Sequence, residues 1–413
     1  MQSSRLEIVK GVGHKVSTRL RVLAVNSLFP NDVQPYWGIF NACALEYLSE
    51  LADVRVISPV KWCPGLGWAL ASERKLAKIP ARAEYKGIPV TYPRFFRTPG
   101  FGRSWHGWLY AQSIKRHLRS VVQEFRPNVL LASWAHPDGY AVQQIGAQLG
   151  IPVVIKCLGS DIHQLLRDPS RKQQVLQALA RCDRVITVSD SLKQIIAAEG
   201  IAPDKIARVY NGVDRTIFRP MPRSQARQAL KLAPHGKILL CVAALLPIKR
   251  HCDLLRAFKL LLKQHPMEIR LVLVGEGPLR RELFRLATEL GIAEHVRFAG
   301  GCKHHEVPTW INAADAVCLA SQNEGLPNVL VEALACGRPV VATNVGGIPE
   351  LVSSPRYGRL VNPGDPPALA DAMNDVLATA WEPQRLCACP QVISWHESAT
   401  ELLNVLSSVH AQR

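Results

Sequence analysis

Two carboxylates with seven residues between them, Glu324 and Glu332 in NEGLPNVLVEALACGRPVVAT, are the groups of this chain best placed to do chemistry. Local rules say why. Pro327 suits the first position of a helix, where its missing N–H costs nothing and its fixed φ fits. The residues up to Cys336 favour a helix and Gly337 suits its C′ position. Residues 338–343 then read as a short buried strand. Glu324 falls in the loop entering the helix N-terminus and Glu332 on the second turn. Helical side chains lean toward the N-terminus, so both carboxylates can face one ligand bound there. The free amides and positive end of the helix, with Gly325 beside them, favour an anion at the same spot. A ligand carrying both phosphate and hydroxyls, such as a nucleotide-sugar, meets these conditions. The plainer alternative is one acid stabilising its helix dipole and one exposed glutamate.

Such a site needs a scaffold. The chain has 413 residues, more than one ordinary core accommodates, so two domains are expected. Strand-like runs alternate with helical patterns almost throughout, which predicts an α/β fold with parallel sheets. A first strand spans 19–27 and is followed by a loop to Gly38 and the helix IFNACALEYLSEL. Further strands are predicted at 128–133, 152–156 and 183–190, with Ser189 as a helix N-cap. His136 in WAHPDG and Asp161 in GSDIH sit in strand-exit loops, where sheets of this kind bind ligands. VYNGVDRTIFRPMP breaks the rhythm with an Asn-Gly turn and prolines and reads as an interdomain linker. A second α/β series starts with a strand at 238–243. The chain ends in WHESATELLNVLSSVH, an amphipathic helix that needs another surface to pack on.

Composition narrows the function classes. No apolar run reaches the ~18 residues of a membrane-spanning helix, and the first residues lack the apolar stretch of a secretory signal. Eleven cysteines, an odd number scattered through apolar runs, fit buried, reduced thiols better than a disulfide framework. Cys387 and Cys389 have no partner cluster that would make them metal ligands. The net charge is +17. Residues 1–200 carry 26 Lys+Arg against 14 Asp+Glu, a net of +12, and the remainder 24 against 19, a net of +5. Residues 74–119 hold eleven basic side chains, one acid (Glu84) and eight aromatics including Tyr92, Phe95, Trp105, Trp108 and Tyr110. That mixture suits an anionic membrane surface or a lipid-diphosphate, or a solvated face around an ordinary core. Nucleic acid is not an expected partner.

The second half resembles the retaining glycosyltransferases of family 4, built as two facing Rossmann-like domains and called GT-B. The matching residues are VAALLPIKR, LVLVGEGPLRRELFRLATELGI, VRFAGG, the E-x7-E block of Glu324 and Glu332, and on through GGIPELV, GRLVNPGD and SWHESATELL. The first half matches more loosely, in LFPNDVQPYWGIF, WAHPDGYA and GSDIH. The resemblance implies two doubly wound domains: a polar leader at 1–19, an acceptor-side domain at 20–208, a linker at 209–222, a donor domain at 223–393 and a C-terminal helix at 394–413 packing back.

Roles follow position by position from the resemblance. Glu324 would hold the donor sugar, supported by the amides of Gly325 and Leu326, and Glu332 the ribose. Lys249 would neutralise the leaving diphosphate, which Gly38 would let the first loop approach. Glu276 would flank the base, His136 would face the reaction centre, and Asp161 would line the acceptor side. Many relatives carry an arginine where this chain has Ala244, so Lys249 stands alone or a neighbour such as Arg250 substitutes. The resulting expectation is a metal-independent hexosyltransferase using a UDP- or GDP-linked sugar. It would retain configuration and act in polysaccharide assembly on a lipid-diphosphate-linked saccharide. Its expected place is the cytoplasm, in peripheral contact with the inner face of the membrane. A non-catalytic nucleotide-sugar-binding scaffold and a nucleotide-sugar 2-epimerase are the alternatives. A dinucleotide oxidoreductase is disfavoured, because no G-x-G-x-x-G stands between a strand and a helix.

Overall fold

Continuous Val-, Ile- and Leu-rich runs cannot leave either face in water, and this chain buries them between helices in two mainly parallel sheets. The computed structural model describes residues 19–63, 71–97, 102–264 and 269–411. The leader reading at 1–19 therefore lies almost wholly outside the described residues, as does Phe101.

In the first half the strands are β1 (Arg21–Val25), β2 (Asp53–Ile57), β3 (Val60–Trp62), β4 (Arg82–Tyr85), β5 (Ile88–Thr91) and β6 (Arg94–Phe96). They continue with β7 (Val129–Ser133), β8 (Val153–Cys157), β9 (Arg184–Thr187) and β10 (Ile206–Arg208). Eight of them form a sheet in the order β10-β9-β8-β7-β1-β2-β5-β4. Its ladders are parallel except at the edge pair β4–β5. β3 and β6 make a separate parallel pair that periodicity did not foretell. The second half contributes β11 (Lys237–Val242), β12 (Ile269–Val274), β13 (Val296–Gly300), β14 (Ala316–Leu319), β15 (Val340–Thr343) and β16 (Gly358–Val361). They run parallel in the order β13-β12-β11-β14-β15-β16.

The parallel part of each order reverses direction once. The switch lies between β1 and β7 in the first sheet and between β11 and β14 in the second. Crevices open outside the carboxyl ends of strands at such points, so the loops after these four strands are where a ligand should meet the fold.

The segment 209–222 links the sheets. Asn211 is not a mere turn residue: it is buried, accepts from Lys156 Nζ at 3.1 Å and donates to Asn328 Oδ1 at 3.1 Å. The chain then returns to its first half. Helix Trp395–Ala411 packs on helix Ile39–Leu51, and Leu402, Leu406 and Val409 join a core cluster with Val22, Ala24 and Leu45. The Ser398 hydroxyl donates to the Tyr210 carbonyl at 2.6 Å, so the terminal helix ties the linker to both halves. All eleven cysteines are unpaired.

The basic aromatic segment divides between core and surface. Tyr92, Phe95 and Tyr110 are buried, and the Tyr92 hydroxyl donates to the Pro30 carbonyl at 2.9 Å. Arg94 spends its guanidinium on the carbonyls of Leu76, Ala77 and Ile79. Trp105 and Trp108, at 67% and 53% exposure, do face solvent. Trp105 is the N-cap of helix His106–Phe125, and Trp108 in that helix shares an open face with Gln112, Arg116 and Arg119. No described helix is long and apolar enough to cross a membrane.

Candidate active site

The two strand exits at the second sheet's switch point each deliver one charged side chain. After β11 a short 3₁₀ turn, Pro247–Lys249, presents Lys249; after β14 the loop to helix Asn328–Ala335 presents Glu324. Lys249 Nζ lies 2.5 Å from Glu324 Oε1, and the Ser321 hydroxyl donates to the same oxygen at 2.6 Å. The helix begins at Asn328, with Pro327 as its extended N-cap rather than its first turn, because Pro327 has a ψ of 111°. Gly337 takes the left-handed C′ conformation at φ +67°.

Glu332 is nearly buried, one and a half turns into this helix, and its Oε1 meets His304 Nε2 at 2.9 Å. His304 was not anticipated, although it stands in the polar string KHHE directly after VRFAGG. Its ring sits edge-on to Phe40 of the first domain (centroids 5.4 Å apart) and tilts against Phe218 (5.2 Å).

These groups line one cavity of about 1190 Å³ between the domains. Lys249, Glu324, Glu332, Gly325, Leu326, Glu276 and Ala244 all contribute to its wall. Glu276 is largely exposed there and accepts from the Gly301 amide at 3.2 Å. From the first domain come Tyr36, Phe40, Trp134, Ser160 and Gln164, none of which sequence reasoning singled out. Trp134 adopts a φ of 92°, a conformation rare for a side chain with a Cβ, at the exit of β7.

Across the cavity the backbones nearly touch. A Cβ on Gly325 would lie 2.2 Å from the Leu158 carbonyl oxygen, and one on Gly159 would lie 2.7 Å from Gly325 Cα. Glycine at both positions is what lets the two loops approach. His163 Nε2 donates to the Glu324 carbonyl at 3.0 Å, and the Gly347 amide donates to the Gly325 carbonyl at 2.8 Å. Further along the interface, Glu350 of helix Ile348–Leu351 caps helix Asp190–Ala198 of the other domain. It accepts from the amides of Asp190 (2.9 Å) and Ser191 (2.8 Å) and from the Tyr210 hydroxyl (2.9 Å).

Three expected site residues stand elsewhere. Gly38 is the left-handed N-cap of helix Ile39–Leu51, and a Cβ there would lie 1.9 Å from the Leu28 carbonyl oxygen. It shapes the turn that places Ile39 and Phe40 on the wall but is not itself part of the wall. His136, 2% exposed, is also outside the wall. Its Nε2 pairs with Gln174 Oε1 at 2.8 Å, and burial pulls its pKa down to about 4 against that bond. Asp161 is fully buried and accepts from the amides of Ala135 (3.0 Å), Leu158 (3.0 Å) and Gly159 (2.9 Å). Burial raises its pKa, and those amides oppose the rise. In this structure His136 and Asp161 therefore lie outside the wall, each held by loop or helix partners. Asp138, equally buried, joins them by accepting from the Ser27 amide and hydroxyl and the Tyr110 hydroxyl, with burial raising its pKa to about 6.

The geometry offers the paired Lys249 and Glu324, the Glu332 carboxylate and a helix N-terminus, with Lys303, Glu276 and Glu306 also on the wall, an arrangement able to hold a diphosphate beside a polyhydroxylated group. Comparison with known proteins agrees. Residues 222–387 match the family profile described as glycosyl transferases group 1, and residues 45–216 match that described as glycosyltransferase family 4. The chain is similar to N-acetyl-alpha-D-glucosaminyl L-malate synthase of Bacillus anthracis, 30% identical over 63% of this chain and 68% of that one. It is also similar to D-inositol 3-phosphate glycosyltransferase 1 of Catenulispora acidiphila, 36% identical over 56% of this chain, a match that spans 58% of that relative's length. Among solved structures, sucrose-phosphate synthase from Thermosynechococcus elongatus superposes with a TM-score of 0.76 at 20% identity, covering 96% of this chain and 100% of that one. Anabaena Alr3699/HepE, solved with UDP and glucose, gives 0.70 at 21% identity, covering 94% and 100%. At such identities these two likenesses are of fold.

Proposed function

The chain belongs to the group 1 glycosyltransferases, and on that premise we propose that it moves a sugar from a UDP- or GDP-linked donor to a saccharide hydroxyl, with retention and without a metal. The observation that carries this reading is the Lys249–Glu324 contact at the helix N-terminus inside the cleft. Donor entry exchanges partners: the diphosphate takes Lys249, and Glu324 turns to the sugar hydroxyls. In the transition state charge builds on the departing phosphate, where Lys249 and the helix amides stabilise it most. The acceptor oxygen attacks the anomeric carbon from the face the phosphate leaves, the glycosidic C–O bond to phosphate breaks, and the acceptor proton passes to the leaving phosphate oxygen. With Ala244 in the wall and Arg250 held by Asp253 at 2.7 Å, Lys249, beside Glu324 at the helix N-terminus, is the side chain assigned to the phosphates, and Lys303 is the other lysine of the wall.

Two relatives are named for L-malate and D-inositol 3-phosphate, both anions. Here the described wall residues of the first domain are uncharged, and Tyr36, Phe40 and Trp134 supply aromatic faces. That favours a neutral sugar ring as the group entering the cleft. The basic surface lies outside it, on the open face of helix His106–Phe125, where Trp108, Arg116 and Arg119 suit an anionic bilayer bearing a lipid-diphosphate-linked acceptor. On this reading the enzyme works at the cytoplasmic face of a membrane, in polysaccharide assembly.

The test is direct. Purified protein is screened by thermal shift against UDP- and GDP-sugars, then assayed for transfer with and without EDTA, with product configuration read by NMR. Donor hydrolysis or epimerisation without transfer, an inverted product, or EDTA-sensitive turnover would each defeat part of the reading. For the membrane component, co-sedimentation with anionic vesicles should fall with salt and in Arg116→Glu/Arg119→Glu. Equal binding to neutral vesicles would remove it.

A further inference from the structure

At the end of the second sheet opposite the cleft, the entries to β11, β14 and β15 enclose a cavity of about 220 Å³ whose charges do not balance. Arg223, Lys237 and Arg338 line it, and Asp315 is the one carboxylate among its described lining residues. That carboxylate is already fully used. Its Oδ1 meets Arg223 Nη1 at 3.1 Å and Lys237 Nζ at 3.6 Å, while Oδ2 takes Arg227 Nη2 at 2.9 Å and the Ile238 amide at 2.8 Å. One negative charge answers three positive ones.

Arg338 is a fourth cation. It is 8% exposed, and the ion pairs found among the described residues give it no carboxylate. Its Nη2 donates to the carbonyls of Asn312 (2.8 Å) and Met221 (3.3 Å), but its Nε is buried with no acceptor, and so is the Nε of Arg223. Buried donors of this kind are rare in folded proteins and mark a missing partner. Burial, and after it repulsion from Arg223, draws the Arg338 guanidinium down to about 10, the direction for a cation short of counter-charge. The space is several times the ~30 Å³ share of one water. A neutral water could satisfy a lone Nε but would leave the charge unanswered.

We propose that this cavity binds a tetrahedral oxyanion of the phosphate class, free or as a monoester, through Arg223, Lys237 and Arg338. Guanidinium forks match tetrahedral oxyanions geometrically, and the planar Arg338 edge stays organised because its Nη2 is anchored on backbone carbonyls. Such a ligand supplies acceptors for both orphaned Nε groups and offsets the surplus of cations. The site is separate from the cleft and from the transfer reaction.

The full chain is titrated with inorganic phosphate in a phosphate-free buffer at constant ionic strength, following thermal stability, with glucose 6-phosphate and chloride as parallel arms. Because the cleft can also hold phosphate, Lys249→Ala is titrated beside the wild type. Arg223→Gln is the site variant, chosen because that side chain is partly exposed and tolerates change. A saturable rise that survives Lys249→Ala and needs at least tenfold more phosphate in Arg223→Gln supports the site. A lower midpoint for glucose 6-phosphate than for phosphate assigns a monoester, and the reverse assigns the free ion. A rise lost in Lys249→Ala, an unchanged midpoint in Arg223→Gln, or an equal effect of chloride would overturn it.

Discussion

Both domains place loops at the switch points of their sheets, yet they use the charged residues there in opposite ways. In the second domain Lys249 and Glu324 meet inside the cavity, with the amides of the following helix open toward the same space. In the first domain the acids turn inward: Asp161 gathers three loop amides, and Asp138 ties the β1 exit to helix His106–Phe125. What that domain shows to the cavity is aromatic and neutral. A short acid near free backbone amides satisfies them before it serves a ligand. Position at a strand exit therefore predicts neighbourhood, whereas the fate of the surrounding amides decides whether a side chain is free.

The strongest test of this contrast is Glu324→Ala. It should lower kcat/KM on the order of 100- to 1,000-fold, as loss of a preorganised transition-state contact does, with circular dichroism and melting close to wild type. Turnover near wild type would erase the difference between the two domains. Lys249→Ala should cost about 100-fold, falling on kcat more than on donor KM, because its partner charge grows as the bond breaks. A pure KM defect would reduce Lys249 to ground-state binding.

The other side of the contrast is read in stability. Asp161→Ala leaves two buried amides and one part-buried amide without an acceptor and should destabilise the chain by on the order of 3 kcal/mol, measured by denaturant unfolding. An acceptor KM change at full stability would restore Asp161 to the acceptor wall. A stability effect of the same order is expected from pH at His136. Its folded pKa of about 4 lies below the ~6.5 of a free imidazole. The unfolded chain takes up the proton first as pH falls, so stability present above pH ~6.5 is lost on the way to about 4. His136→Gln should shed its share of that acid lability. Identical pH profiles would show that another group is responsible.

Much of this was readable from the chain because it is local. The helix carrying Glu332 announces itself through Pro327 and Gly337, Ser189 caps its helix through the Leu192 amide at 3.3 Å, and IFNACALEYLSEL forms the helix Ile39–Leu51 without adjustment. What stayed hidden depends on partners distant in sequence. His304 reaches Glu332 across 28 residues, and His163 reaches the Glu324 carbonyl across 161. Strand exits marked His136 and Asp161 for function, but nothing in WAHPDG or GSDIH says that Gln174 and three amides will claim them. The aromatics of residues 74–119 likewise carried no sign of which rings, such as Tyr110, would enter the core and which, such as Trp108, would remain outside.

Glu350 gives the molecule an axle. If the facing loops at Gly159 and Gly325 part, a straight separation of the domains strips this one carboxylate of two helix amides and a tyrosine hydroxyl at once. Swinging about Glu350 keeps all three bonds while the loops farther out sweep open. The Glu350 contacts thus favour an angular over a linear parting of the domains.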